Sequence, residues 1–525
     1  MKILVTDALA KEGLEVLRDE GFEVVERTGL SEDELVELIP DYVALIVRSQ
    51  TKVTARLLEA ASSLKVVGRA GTGLDNVDID AATRLGIVVM NTPASNTISA
   101  AEHTISMLLA LSRNIPQANQ SLKHGLWDRK AFMGTEVHRK VLGIIGLGRI
   151  GSGVACRAQG LGMKVVAYDP FTSVEKAGEI DVALMELENM LALVDYLSIH
   201  TPLTERTRGF IGAKEFLLMK PGVRVLNCAR GGIIDEQALY DALCTGKVKG
   251  AALDVFENGK PFGSPLLELD SVIATPHLGA STQEAQVRVA VEIASQIVDA
   301  LKNTEVRNAI NILTFSPQQQ KRLGGFLSLV EKMGLLMAQL IEGNLVEAQI
   351  LYRGDLADSD VKPLSVAFVK GLLGYMLKES VNYVNALILA QERGIRISEV
   401  TTTKREEYRN LVEVTCTTDA GVYSAEGTIL EGTVPYVVKL NGCALEFVPD
   451  GYLLICRSID KPGVVGSIST LLGAHGINIS GLQMGTTVPG KENMSAYTLD
   501  RPPSLEVIES LCSRTEILSA KLVHV

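Results

Sequence analysis

Short apolar runs alternate with helix-spaced segments through the N-terminal half of the chain. The runs at 2–7, 44–49, 64–70 and 87–91 are rich in Val, Ile and Leu and read as strands. Ser31-Glu-Asp-Glu34 is a capping box that opens a helix. Strand, helix and strand at this spacing predict a parallel sheet with crossover helices. A long apolar helix is predicted over 99–122. Further runs at 141–146, 164–169, 196–200, 224–229, 250–255 and 272–275 predict a second, doubly wound unit of six strands. Helical spacing over 282–301 then leads back towards the first unit, which is therefore expected to be discontinuous.

From about position 312 the texture changes. Residues 316–322 are polar and read as a linker. Residues 323–448 carry helix and strand patterns but no chemical motif. A last alternating unit follows Gly451: a strand over 452–457, a turn at Asp460-Lys-Pro-Gly463, an amphipathic helix over 464–475 and a strand from 477. The expected fold class is α/β in two parallel-sheet lobes, followed by an α+β domain and a small terminal module. The expected bounds are 1–97 with 283–312, then 98–282, 316–448 and 451–525.

Composition narrows the function classes. At 525 residues, the chain suits three to four domains of about 150 residues each. A hydrophobic share of 46% excludes wholesale disorder. The net charge of −11 without a basic stripe argues against nucleic acid as a partner. Seven Cys without CxxC spacing fit reduced thiols and argue against a disulfide framework or a zinc site, so no metal is expected. The N-terminus does not read as a signal peptide, and no uninterrupted apolar run approaches the ~18–20 residues of a membrane span. A cytoplasmic protein without a membrane partner is expected.

The chemistry begins at Gly146-Leu-Gly148-Arg149-Ile150-Gly151, which follows an apolar strand and opens a helix. The first Gly makes the turn, the second admits a pyrophosphate and the third lets helix pack on strand. The helix N-terminus offers unpaired N–H groups to phosphate. Asp169 ends the next strand, where its carboxylate would accept from a ribose and repel a 2′-phosphate, favouring NAD over NADP. Three more features sit at strand ends. Arg230 in Asn227-Cys-Ala-Arg-Gly-Gly232 suits a carboxylate. His277 in Thr275-Pro-His-Leu-Gly279 suits acid–base work. Asp254 in Leu253-Asp-Val-Phe-Glu257 is placed to face a nicotinamide.

These motifs occur in order with Val47-Arg-Ser-Gln-Thr-Lys-Val-Thr54, Gly68-Arg-Ala-Gly-Thr-Gly73, Asn96-Thr-Ile-Ser-Ala-Ala-Glu-His103, His200-Thr-Pro-Leu-Thr204 and Pro276-His-Leu-Gly-Ala-Ser281. Together they resemble the D-2-hydroxyacid dehydrogenases over about the first 310 residues, and the remainder resembles the family's long form. The resemblance implies a flavodoxin-like substrate lobe, a Rossmann cofactor lobe, an intervening domain and a ferredoxin-like ACT domain. It implies NAD-dependent oxidation of 3-phospho-D-glycerate to 3-phosphooxypyruvate, the first committed step of serine synthesis. The alternatives are oxidation of another D-2-hydroxy acid, such as 2-hydroxyglutarate, or a catalytically weakened nucleotide-binding sensor.

By that resemblance His277 takes the hydroxyl proton and Arg230 holds the substrate carboxylate. Arg48, Arg69, Asn96 and Arg129 are substrate candidates. Gly146, Gly148, Arg149, Ile150, Gly151, Asp169, Thr201, Pro202, Cys228, Ala229, Asp254, Gly279 and Thr72 are cofactor candidates. One position departs from the family pattern. The carboxylate that normally pairs with the His belongs at 259, where this chain has Gly259. Glu257 is the expected substitute. In the ACT domain Asp460 and Asn478 are the effector candidates, with L-serine as the implied ligand. Such sites form between paired domains, which implies a homo-oligomer.

Overall fold

The computed structural model describes residues 1–302, 304, 306–312, 317–377, 380–405, 407–430, 434–488 and 492–525. Its first sheet is wholly parallel, in the spatial order Glu23–Glu26, Lys2–Val5, Ala44–Val47, Val66–Arg69 and Val88–Asn91. This is the flavodoxin-like order. Central strands of such sheets are apolar on both faces because helices cover both. Ile3, Val5, Ala44 and Ile46 meet Ile293 and Ile297 of the helix Gln283–Leu301 on one face, while Leu4, Leu45 and Val67 meet Leu57 and Leu58 on the other. The chain thus returns to this sheet after building the second one. Ala309 then bridges Met90, and Asn311 closes the strand edge by accepting from Val89 N and donating to Ile87 O, both at 2.9 Å.

The second sheet is also parallel, in the order Val272–Ala274, Val248–Leu253, Val223–Asn227, Tyr196–Ile199, Val141–Ile145, Lys164–Tyr168 and Ala183–Leu184. This is the Rossmann order with one strand added. The sequence pattern misses two strands. Glu23–Glu26 lies at a sheet edge with a Glu at each end, and Ala183–Leu184 has only two residues, too short for any periodicity.

The single helix expected over 99–122 is two helices, Thr97–Arg113 and Ile115–Lys123, which meet at Asn114 in a left-handed conformation, φ 53°. Pro116 explains the break. A proline in a continuous helix lacks a donor and crowds the carbonyl four residues back, here that of Ser112, which instead accepts from Thr135 N at 2.8 Å.

The linker expected over 316–322 is corrected as well. Ser316 lies outside the described residues, and from Pro317 the chain is already helical, through to Leu340. Proline at a first helical position needs no donor partner. Within this element, Arg322–Leu340 is long and apolar enough to cross a membrane by composition. Leu329, Val330, Met333 and Leu336 are instead buried against the helix Lys362–Met376 and a mixed six-stranded sheet. The terminal module runs strand, helix, two strands, helix, strand, with sheet order Ile479–Val488, Glu492–Leu499, Tyr452–Ile459 and Ile517–His524. Its helices Val464–Ala474 and Leu505–Cys512 cover one face. The other face, through Leu453, Ile455, Met494, Ala496 and Val523, joins the core of the preceding domain.

Candidate active site

The second sheet changes winding direction between Val141–Ile145 and Tyr196–Ile199, and ligands of such sheets bind beyond the strand carboxyl ends at that point. Gly146 turns there with φ 90°, and a methyl group on it would lie 2.7 Å from His200 O. Gly148 caps the helix Arg149–Gly160, has open space where a Cβ would be, and is followed by a first turn without acidic residues. Arg149 and Ile150 form that first turn. A methyl on Gly151 would lie 2.1 Å from Gly146 O, so helix and turn touch through backbone. Asp169 fastens the loop, accepting from Leu147 N at 2.7 Å and Phe171 N at 2.8 Å. Thr201 Oγ1 is buried without a partner beside Gly146. Pro202 O, next along, accepts from Thr207 Oγ1 at 2.7 Å. An open helix N-terminus, a glycine cradle and an orphaned hydroxyl fit a dinucleotide such as NAD.

Across the cleft stand the groups for an anionic substrate. Arg230 Nε donates to Asp75 Oδ2 at 3.0 Å, joining the two lobes, and its Nη1 donates to Ala229 O at 2.7 Å. Asn227 steadies this loop by donating to Arg230 O at 2.9 Å and accepting from Ala229 N at 3.1 Å. Arg69 lies close by with its Nε buried and unpartnered. Burial, then the neighbouring Arg230, holds its guanidinium down to about 10, so it stays charged at neutral pH. Arg48 is tied by its backbone N–H to Asp7 and by its side chain to Ala8 O at 3.3 Å, and its field also reaches Arg69. Thr72 Oγ1 donates to Asn96 Oδ1 at 2.8 Å in the adjoining loop.

His277 is exposed at the mouth of this cleft and has a left-handed backbone, φ 59°. Partial withdrawal from water pushes its imidazole below the ordinary value. The Asp254 and Asp75 charges oppose that shift, and those of Arg230 and Arg69 add to it. The structure therefore gathers Arg230, Arg69 and His277, and adds Asp75, which the sequence reading missed. Only contact across the lobes marks Asp75, since its local sequence reads as a loop.

Three site expectations need correcting. Glu257 does not reach His277. Its carboxylate lies 4.0 Å from Arg208 Nη1, and its backbone N–H donates to Glu236 at 2.6 Å. Gly231 packs so tightly on the Phe256–Glu257 peptide that a Cβ would lie 2.0 Å from Phe256 O, so this backbone approach requires glycine. Asp254 does not face the cleft either. Its side chain is fully buried and is used by Thr275, Leu278 and Gly279. Burial alone would raise its carboxyl, but its hydrogen bonds outweigh that and hold it below the ordinary value. Arg129 stands on the exposed surface loop before Val141–Ile145 and joins none of the cleft groups described above. Cys228 is half-buried just after the strand Val223–Asn227, and burial followed by the Asp254 charge pushes its thiol up to about 12, so it stays neutral. In the terminal module Asn478 N donates to Asp500 Oδ1 at 2.9 Å, while Asp460 lies exposed in the loop before Val464–Ala474.

Three family models match in order: the D-isomer specific 2-hydroxyacid dehydrogenase NAD binding domain over 105–279, the D-3-phosphoglycerate dehydrogenase intervening domain over 322–441, and the ACT domain over 452–515. A D-3-phosphoglycerate dehydrogenase from Archaeoglobus fulgidus is 43% identical, covering 100% of both chains. One from Synechocystis sp. is 44% identical over 95% of this chain and 90% of its own. The chain belongs to the D-3-phosphoglycerate dehydrogenases. Solved structures align with the two lobes. The Thermus thermophilus protein TT0316 aligns with a TM-score of 0.56 at 32% identity, covering 59% of this chain and 100% of its own. The D-lactate dehydrogenase of Aquifex aeolicus, solved with NAD and lactic acid, aligns at 0.51 and 29% identity over 58% of this chain and 96% of its own.

Proposed function

We propose that this chain oxidises 3-phospho-D-glycerate to 3-phosphooxypyruvate with NAD, in serine synthesis. The observation that carries the reading is the meeting of Arg230, Arg69 and His277 in one cleft beside the glycine turn. Arg230 grips the substrate carboxylate with its fork and polarises the C2 oxygen. Arg69 and Arg48 supply the further positive charge that a phosphorylated acid needs. His277, neutral at physiological pH, accepts the C2 hydroxyl proton as the carbonyl forms. Bound NAD supplies the hydride acceptor. Gly146, Gly148, Gly151, Arg149, Ile150 and Thr201 would hold its phosphates, and Asp169 its ribose. Thr72, Pro202, Ala229 and Gly279 would complete the cofactor contacts, and Asn96 those to the substrate. Asp75 occupies Arg230 until the substrate carboxylate replaces it.

The lobes fall at 1–97 with 283–312 and at 98–282, followed by domains at 316–448 and 451–525. The ACT domain would bind L-serine through Asp460 and Asn478 in a cytoplasmic homo-oligomer. Gly259 favours a second reading, a nucleotide-binding sensor with weak turnover.

Following NADH appearance with 3-phosphoglycerate, lactate, glycerate and 2-hydroxyglutarate separates these readings, and adding L-serine tests the effector. Preference for 3-phosphoglycerate, with a rate that serine lowers, is expected. Tight NAD binding without NADH from any acid would leave the sensor.

A further inference from the structure

His277 needs a holder. Its left-handed backbone, φ 59°, lies where L-residues rarely rest, and Glu257 turns towards Arg208. The turn that carries it is instead fastened from beneath. The fully buried Asp254 carboxylate accepts from Thr275 Oγ1 at 2.6 Å, Leu278 N at 2.7 Å and Gly279 N at 2.8 Å. These three donors bracket His277. Behind them, His103 Nε2 lies 3.3 Å from Asp254 Oδ1 and 3.3 Å from Thr275 Oγ1. His103 belongs to the helix Thr97–Arg113.

We infer that His103 and Asp254 form a positioning pair that fixes the 275–279 turn and so aims the His277 imidazole, in place of a carboxylate touching the ring. The inference rests on the reading of His277 as proton acceptor. A buried carboxylate stays ionised only while donors surround it, and Asp254 has four. Three set the turn, and His103 supplies the fourth from a different element. A side chain at 279 would press on this carboxylate, since a Cβ there would lie 3.2 Å from Asp254 Oδ2. The Asp254 charge also favours the imidazolium that forms when His277 takes a proton, without proton transfer to Asp254. The other charged groups facing His277 are Asp75, Arg230 and Arg69. The Cys228 thiol near Asp254 stays neutral.

The test uses the full chain with His103→Leu, His103→Gln and Asp254→Asn. His103→Leu should lower kcat for oxidation at least tenfold, with substrate KM and NAD Kd within threefold. It should also speed amide exchange at Leu278 and Gly279. His103→Gln keeps a side-chain donor and should restore most of the rate. Asp254→Asn removes the anion that favours imidazolium, so the acid limb of kcat/KM should move to lower pH. The His277 ring titration, followed by NMR and assigned with His277→Gln, should move the same way. Unchanged kcat and exchange in His103→Leu overturn the inference. So does a His103→Gln as slow as His103→Leu, or an unmoved His277 titration in Asp254→Asn. If Asp254→Asn does not fold, the His103 pair decides. If the unaltered chain makes no NADH, the proposed function fails, while titration and amide exchange still judge the pair.

Discussion

Single residues carry the cofactor cradle, and Gly151 is its tightest point. An alanine there would put its Cβ 2.1 Å from Gly146 O, in backbone that has no flexible end to move aside. The turn must shift, at about 1–3 kcal/mol for an overpacked contact. Part of that falls on the phosphate-binding geometry, so Gly151→Ala should raise the Kd for NAD roughly tenfold, equivalent to about 1.4 kcal/mol. Titration calorimetry with NAD checks this, and a Kd unchanged within twofold would show that the turn relaxes without affecting the site. Gly151 was legible because its spacing encodes a local strand–turn–helix. Arg230 and His277 were legible because charged or titratable residues at strand ends mark such sheets. Asp75 and His103 were not, because their roles come from contacts to residues 155 and 172 positions away. Glu257 was misread for a similar reason: its carboxylate approaches Arg208, a contact distant in sequence that no local pattern reports.

At the scale of elements, the strands were mostly legible and the helix ends less so. Strand interiors are set by burial on both faces, which writes itself into sequence as Val, Ile and Leu. The break at Asn114 depends on one proline two positions later. The two segments that cross between the lobes are strapped together where they begin. Thr282 caps Gln283–Leu301 by accepting from Ala285 N at 3.2 Å, and its Oγ1 also lies 2.8 Å from Ser99 Oγ on the other crossing helix. Arg288 Nε donates to Ser95 O at 3.2 Å in the same strap. Thr282→Ala loses the cap and the link, at about 1 kcal/mol for the cap. Thermal unfolding of the catalytic lobes should therefore shift down by about 2–4 °C. A larger fall would mean that the strap also holds the lobes in register.

At the scale of the molecule, the division of the core sets what can fold alone. The two lobes have separate apolar clusters of their own. The intervening domain does not: one cluster runs from Leu329 and Phe368 through to Leu453, Ile455 and Val523 of the terminal module. The sequence showed a regulatory-looking module but not this shared core, because sheet faces that meet across a domain boundary leave no periodic mark. The link back to the catalytic part is more polar, with Asn382 Nδ2 donating to Gly86 O at 2.8 Å. Truncation after residue 312 should therefore leave a soluble pair of lobes that binds NAD with near-native affinity. Truncation after residue 450 removes the terminal module's face of the shared cluster and exposes what it covers. Exposed apolar area costs roughly 25 cal/mol per Å², so this longer fragment should be the less stable one. Limited proteolysis followed by mass spectrometry reads the difference. The 1–312 fragment should resist digestion, while 1–450 should be cut rapidly within 317–447. Equal resistance of the two fragments would mean that the intervening domain holds its fold without the terminal module, and an effector signal would then have to cross a boundary between independent domains.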